Sequence, residues 1–204
     1  MARTKDPELE QRRREEIMAT TRALLTQDSF AALTLGQVAE GAGVSKGLVG
    51  YYFGSKDQLI IATIRRYHEE QAELLQGLVA LPLPARAKLR MVVDATLPSQ
   101  AAVQDELRFQ VEVLSFAKAR PEVLEEVRGS YRAFRDACER LLEEGVADGS
   151  VQVANLGFTY RVLHALIDGL SFQLAVEPDV DMGALRNDTV ALFESLLGVD
   201  RTTA

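Results

Sequence analysis

The sequence predicts an all-α protein. Apolar residues recur at helical spacing almost from end to end, and no segment sustains the alternation of a strand. Ser, Thr, Pro and Gly punctuate the periodic stretches where helices start and stop. The expected organisation is a three-helix head over residues 1–54, followed by a helical body over 55–204.

Residues 9–27 put Ile17, Thr21, Leu24 and Leu25 on one stripe with charges opposite, and Asp28 and Ser29 break the helix. Thr34 can N-cap a short helix containing Val38 and Ala39, which the Gly41 to Gly43 region ends. Ser45 can cap a second short helix from Lys46 to Phe53. Ser55 opens a longer one, with Leu59, Ile60, Thr63, Ile64 and Tyr67 at helical spacing, reaching Leu78. The two prolines of LPLPARAKL mark a break, and a helix from Ala85 to Leu97 runs until Pro98. The polar stretch SQAAVQDE is expected to hold one short helix leading into the apolar run FQVEVLSFA. Pro121 starts a long amphipathic helix carrying Val123, Val127, Tyr131, Phe134, Cys138, Leu141 and Gly145, ending near Asp148-Gly149. Residues 157–176 are apolar over most of their circumference, which predicts burial on more than one side. Met182 to Val199 forms the last helix, with Leu185, Val190, Leu192, Phe193, Leu196 and Leu197.

At 204 residues, 47% apolar and 26% charged, the chain can bury a real core. The opening MARTKDPELEQRRREE lacks the apolar region of a signal peptide, and no run approaches the roughly 18 apolar residues of a membrane span, so a cytoplasmic protein is expected. The single cysteine, Cys138, can form neither an internal disulfide nor a cysteine metal cluster. The net charge of −7 is unevenly spread. Residues 1–56 hold eight Lys or Arg against seven Asp or Glu, whereas the rest hold fifteen against twenty-three. Arg3, Lys5, Arg12, Arg13, Arg14, Lys46 and Lys56 make a local cationic patch that can meet phosphate although the chain as a whole is acidic.

The stretch GVSKGLVGYYFGSKDQL, residues 43–59, concentrates this chemistry. Two short helices separated by Ala42-Gly43-Val44 fit a helix-turn-helix, whose second helix enters the major groove of DNA. Leu48 or Val49 supplies the inner contact of that helix. Gly47 and Gly50 leave little bulk for close approach to DNA, although each weakens the helix by roughly 1 kcal/mol relative to alanine. Tyr51 and Tyr52 offer hydroxyls to phosphates or bases, Lys46 is placed for either, and Lys56 sits in the first turn of the next helix, where backbone N–H groups also attract phosphate.

From Ile17 through Leu59, with ALTLGQVAEGAGVSKGLVGYYFGSKDQL at its heart, the chain resembles the DNA-binding head of the TetR family of transcriptional regulators. The resemblance implies an all-helical homodimer, usually a repressor, whose head binds a palindromic operator. It also implies that Thr34, Ser45, Lys46, Gly47, Tyr51, Tyr52 and Lys56 contact phosphates or bases. Many members carry a tyrosine where this chain has Gly50, so the bases it reads are not to be borrowed from a relative. Gly50-Tyr51-Tyr52-Phe53 leans toward the choline/betaine-responsive branch.

The body resembles the family's ligand-binding and dimerisation domain in the number and order of its helices. Its last two helices are expected to form a four-helix bundle with a second copy, Leu163, Leu166, Ile167, Leu170 and Leu174 facing the body while another face meets the partner. A small-molecule pocket is expected among residues 85–97, 105–118, 121–146 and 156–176, from Phe109, Glu112, Phe116, Tyr131, Phe134, Cys138 and His164. Glu112, a carboxylate among apolar neighbours, must be paired or exposed, or meet a cation, which admits a cationic ligand. His164 and Asp168 lie four apart, but two ligands do not make a metal site, and no catalytic or nucleotide-binding fingerprint is present. Neither metal nor cofactor is expected. The function predicted is a regulator, most simply a dimeric repressor released by a small molecule. A helical enzyme or carrier with an incidental helix-turn-helix is the alternative, and an activator or nucleoid-like protein a third.

Overall fold

The computed structural model describes residues 6–97, 100–177 and 179–198, and among them every regular element is helical. Arg3 and Lys5 of the cationic patch, and the helix-stopping Pro98, lie outside the described residues.

Helix α1 (Pro7–Leu25) starts where the Asp6 carboxylate accepts from the N–H groups of Glu8 and Leu9, with Pro7 in its first turn. Ile17, Met18, Thr21 and Leu25 are its buried side, and Leu24 is only partly buried. Helix α2 (Leu35–Gly41) and helix α3 (Lys46–Phe53) follow, joined through Gly43 at φ 62°, a left-handed conformation that glycine adopts without penalty. Gly54, at φ 76°, closes α3 and donates to the Gly50 carbonyl at 2.8 Å. Ser55 Oγ then accepts from Gln58 N at 3.2 Å and opens α4 (Lys56–Val79).

Helices α5 (Ala85–Thr96), α6 (Gln100–Lys118), α7 (Pro121–Ala147), α8 (Leu156–Val176) and α9 (Met182–Leu196) complete the described chain. The expected short helix before FQVEVLSFA is instead the first part of α6, which runs unbroken. Nothing between 100 and 118 breaks it, since the stretch has neither Pro nor Gly. Val103, Phe109, Val113, Phe116 and Ala117 carry one buried face through both the polar and the apolar part.

The helices form two compact units, one of the residues up to Glu69 with Arg108–Val127, the other of Glu70–Leu107 with the chain from Arg128 onward. In the first, Ile17, Val38, Val49, Leu59, Ile60, Ile64 and Phe109 are wholly buried. Burying an aliphatic side chain contributes about 1.5–3 kcal/mol, which offsets the weak helix formers of α3. Rings extend this core: Phe30 lies 6.1 Å from Phe109 and 5.6 Å from Phe116, and Tyr67 meets Phe109 edge-on at 5.0 Å. Arg120 pairs with Asp57 at 2.6 Å, and Arg65 pairs with Glu126.

In the second unit Leu141 and Leu142 are at the centre, with Leu89, Val93, Tyr160, Leu163 and Phe193 around them. Arg186 on α9 donates to the main-chain oxygens of Asp94 and Leu97 at 2.7 and 2.9 Å, satisfying carbonyls that the end of α5 leaves without helical partners. Helix α8 is buried along Leu163, Ile167 and Leu174, whereas Phe158, Phe172 and Val176 are 65%, 59% and 64% exposed. Its breadth of apolar residues therefore covers two faces, of which one is packed within the chain.

Candidate nucleic-acid interface and body cavity

The head is built by two caps. Thr34 Oγ1 accepts from Gln37 N at 3.2 Å and donates to Gln37 Oε1 at 2.7 Å, while Thr34 N also donates to that Oε1, at 2.9 Å. This capping box uses the Thr34 hydroxyl proton and one of its two acceptor lone pairs. Ser45 Oγ accepts from Leu48 N at 3.1 Å and keeps its own O–H available as a donor. Val49, wholly buried, supplies the inner contact of α3, and Leu48 is half-buried.

The outer side of α3 is open. Lys46 is exposed, with no ion pair among the described residues, and Tyr51 is 58% exposed. A Cβ on Gly50 would find nothing within 4 Å, and one on Gly47 would meet only Ser45 Oγ at 3.9 Å. Neither glycine is required by packing inside the chain, nor by a left-handed φ. Both lower helix propensity. Tyr52 packs partly against the head core, its ring 5.3 Å from that of Tyr51.

The other described members of the cationic patch are engaged. Arg12 and Arg13 both reach Glu16, at 3.3 and 2.8 Å. Arg14 donates to the Tyr52 carbonyl at 2.7 Å and lies over the Phe53 ring at 4.8 Å, so it fastens α1 to the end of α3. Lys56 Nζ donates to the carbonyls of Phe30 and Ala31, at 3.2 and 3.0 Å. That leaves one of its three N–H bonds for any phosphate.

The expected pocket residues divide between the two units. Phe109, Glu112 and Phe116 belong to the first unit. There Phe109 is core, and Phe116 carries the Arg120 guanidinium over its ring at 3.7 Å. Glu112 Oε2 accepts from Phe30 N at 2.9 Å, so a main-chain N–H within the chain satisfies this carboxylate. Glu112 and Phe116 do line an open, polar cleft with Lys56, Asp57 and Arg120.

Phe134, Cys138 and His164 line a different space, a largely apolar cavity with an open side, inside the second unit. Leu89, Val93, Leu142, Ile167, Val190 and Phe193 form its walls. Helices α5, α7, α8 and α9 enclose it, so α9 belongs to the lining and α6 does not. Tyr131 sits beside it, its ring 5.7 Å from His164. His164 is also stacked on Tyr160 at 5.4 Å and tilted against Phe134 at 5.6 Å, with Nδ1 3.4 Å from Asp168 Oδ2. Burial, then the charge of Glu139, pushes the Cys138 thiol up to about 12, so it acts as a small hydrophobe. Burial likewise raises the Tyr160 phenol, with Cys138 and Asp168 adding to it, and raises that of Tyr131 with Asp168. Among the described residues no group of three or more His, Cys, Asp or Glu could hold a metal ion, and no helix is long and apolar enough to cross a membrane.

Two capped short helices, a tight turn between them and an open outer face on the second define a helix-turn-helix protein. Residues 17–63 match the family described as bacterial regulatory proteins, tetR family, and residues 85–198 match the BetI-type transcriptional repressor C-terminal domain; the chain belongs to the TetR family. It is 31% identical over 188 residues to the HTH-type transcriptional regulator BetI of Paraburkholderia xenovorans, covering 88% of this chain and 92% of that one. The fold matches a TetR transcription regulator from Haloarcula marismortui, at 22% identity and a TM-score of 0.78, over 92% of this chain and 98% of that one. It also matches a structure from Saccharomonospora viridis in complex with choline, at 19% identity and a TM-score of 0.77, over 91% and 95% of the two chains. The protein is thus a ligand-responsive transcriptional regulator with a repressor-type C-terminal domain, in a family of regulators rather than enzymes.

Proposed function

We propose that this regulator represses transcription as a homodimer on a palindromic operator, acting in the cytoplasm and leaving the DNA when a small molecule enters the cavity of its second unit. Residues 1–54 are the DNA-binding domain and 55–204 the ligand-binding and dimerisation domain. The outer face of α3 carries this reading, because its two glycines have no packing role in the chain and suit a close approach to base edges. Lys46 and the Ser45 hydroxyl reach phosphate, Tyr51 reaches base edges or phosphate, and Gly47 and Gly50 admit the groove wall. Thr34, Tyr52 and Lys56 act chiefly by fixing the helices, with the remaining Lys56 N–H directed to phosphate.

Dimerisation uses α8 and α9, whose exposed Phe158, Phe172, Val176, Leu192 and Leu196 form the apolar surface a second copy would cover. Two heads joined this way read half-sites about 34–36 Å apart, one turn of DNA. A ligand that favours a different head spacing opposes the operator, and the operator opposes the ligand by the same factor. Choline, the ligand of the S. viridis structure, is the effector that kinship suggests first. Binding of palindromes from the protein's own upstream region, followed by fluorescence anisotropy over a salt series, tests the reading. Specific binding with a steep salt dependence supports it, and equal affinity for all duplexes opposes it.

A further inference from the structure

The body cavity carries its own charges, and they bear on what it holds. Arg86 and Arg90, one turn apart on α5, both point at Glu194 of α9, at 3.2 and 3.9 Å. All three line the cavity. The arginine side chains are 42% and 57% exposed, whereas Leu89, Val93 and Phe193 are almost wholly buried, so the arginines stand on the solvent side of an apolar chamber. Two guanidinium groups share one carboxylate, which leaves a net positive charge at that edge and spare N–H donors in the fork geometry that suits an oxyanion.

A quaternary ammonium meets the opposite situation. It needs a carboxylate or a box of open ring faces. Among the described residues Glu194 is the one carboxylate in the lining, and it is already paired with two arginines. The aromatic box is filled from within, since Tyr131, Phe134 and Tyr160 close around the His164 imidazole at 5.4–5.7 Å.

We propose that the cavity takes an anionic amphiphile, its apolar body among Leu89, Val93, Leu142 and Phe193 and its carboxylate or phosphate head on Arg86 and Arg90. The ligand class rests on the reading of this cavity as the effector site. It differs from the quaternary ammonium that kinship suggests because the charges at the chamber edge have the wrong sign for one.

Isothermal titration of the full-length protein with decanoate, decanol, decyltrimethylammonium and choline, each below its micellar concentration, tests the class. Decanoate is expected to bind on the order of tenfold more tightly than decanol, and both cations more weakly than either. The triple variant Arg86→Gln/Arg90→Gln/Glu194→Gln strands no charge and should bring decanoate down to the affinity of decanol while leaving decanol unchanged. Arg90→Gln alone keeps the closer Arg86–Glu194 pair and should remove part of the preference, which covers the case in which the triple variant fails to fold. Equal binding of decanoate and decanol, a preference for either cation, or heat from none of the four overturns the proposal. An arginine-dependent preference for decanoate that leaves an operator complex intact upholds the ligand class and overturns the effector reading. A decanyl phosphate arm, compared with decanoate, separates a phosphate from a carboxylate head.

Discussion

Arg14 and Tyr52 are joined by a hydrogen bond of 2.7 Å, from the guanidinium Nη1 of α1 to the main-chain oxygen near the end of α3. The end of the proposed recognition helix is thereby held by a cation that composition alone would have assigned to DNA. Replacing Arg14 by Ala removes a charge-assisted bond and a ring contact, and should lower stability by about 1–2 kcal/mol. Denaturant unfolding checks this, the expected sign being a lower midpoint with an unchanged slope.

Lys46 and Lys56 should separate in the same way. Lys46 is exposed without an internal partner among the described residues, so Lys46→Ala should leave the melting temperature alone and reduce the salt slope of operator binding by about one. Lys56→Ala releases the carbonyls of Phe30 and Ala31 and should cost about 1 kcal/mol of stability, seen as a lower melting temperature.

Gly50 sets stability against function. Beyond its chain neighbours and its own helix backbone, no atom lies within 4 Å of the space a Cβ would fill, so Gly50→Ala should stabilise the fold by about 0.5–1 kcal/mol through helix propensity. The same methyl group stands where the groove wall would come, and operator affinity should fall. Thermal unfolding and anisotropy on one preparation read both signs.

Burial lowers the pKa of His68 below its ordinary 6.5, and the charge of Glu126 offsets this in part. The folded chain therefore binds its proton less readily than the unfolded chain does. As pH falls below 6.5, the unfolded state gains the proton first, so stability declines from that point down to the lowered folded value. His68→Gln should make the loss of melting temperature on acidification through this range smaller than in the parent chain.

Much of this was legible in the residues. The helices follow from apolar period and from start signals that the letters display, such as Thr34, Ser45, and Pro121 in a first turn. What sequence could not supply was partnership across long separations. Glu112 is a carboxylate among apolar neighbours, and its partner is the N–H of Phe30, a backbone group that no side-chain pattern reveals. Arg14 and Lys56 looked like phosphate ligands because carbonyl acceptors are equally invisible in a sequence. That the cavity is lined by α9 rather than α6 is hidden for a related reason. Periodicity shows that α6 and α9 each have an apolar face but not which core that face joins, and Phe109 and Phe193 went to different ones.

The central claim is that one chain both reads DNA through α3 and releases it through the body cavity. Anisotropy of a labelled upstream palindrome, titrated with protein and then with a ligand already shown by calorimetry to occupy the cavity, tests both parts together. The expected result is tight, salt-sensitive and sequence-specific binding, weakened by the ligand in the parent chain and insensitive to it once a cavity residue such as Val93 is replaced by Trp. Binding that ignores sequence, or an operator complex unchanged at saturating ligand, would contradict the account.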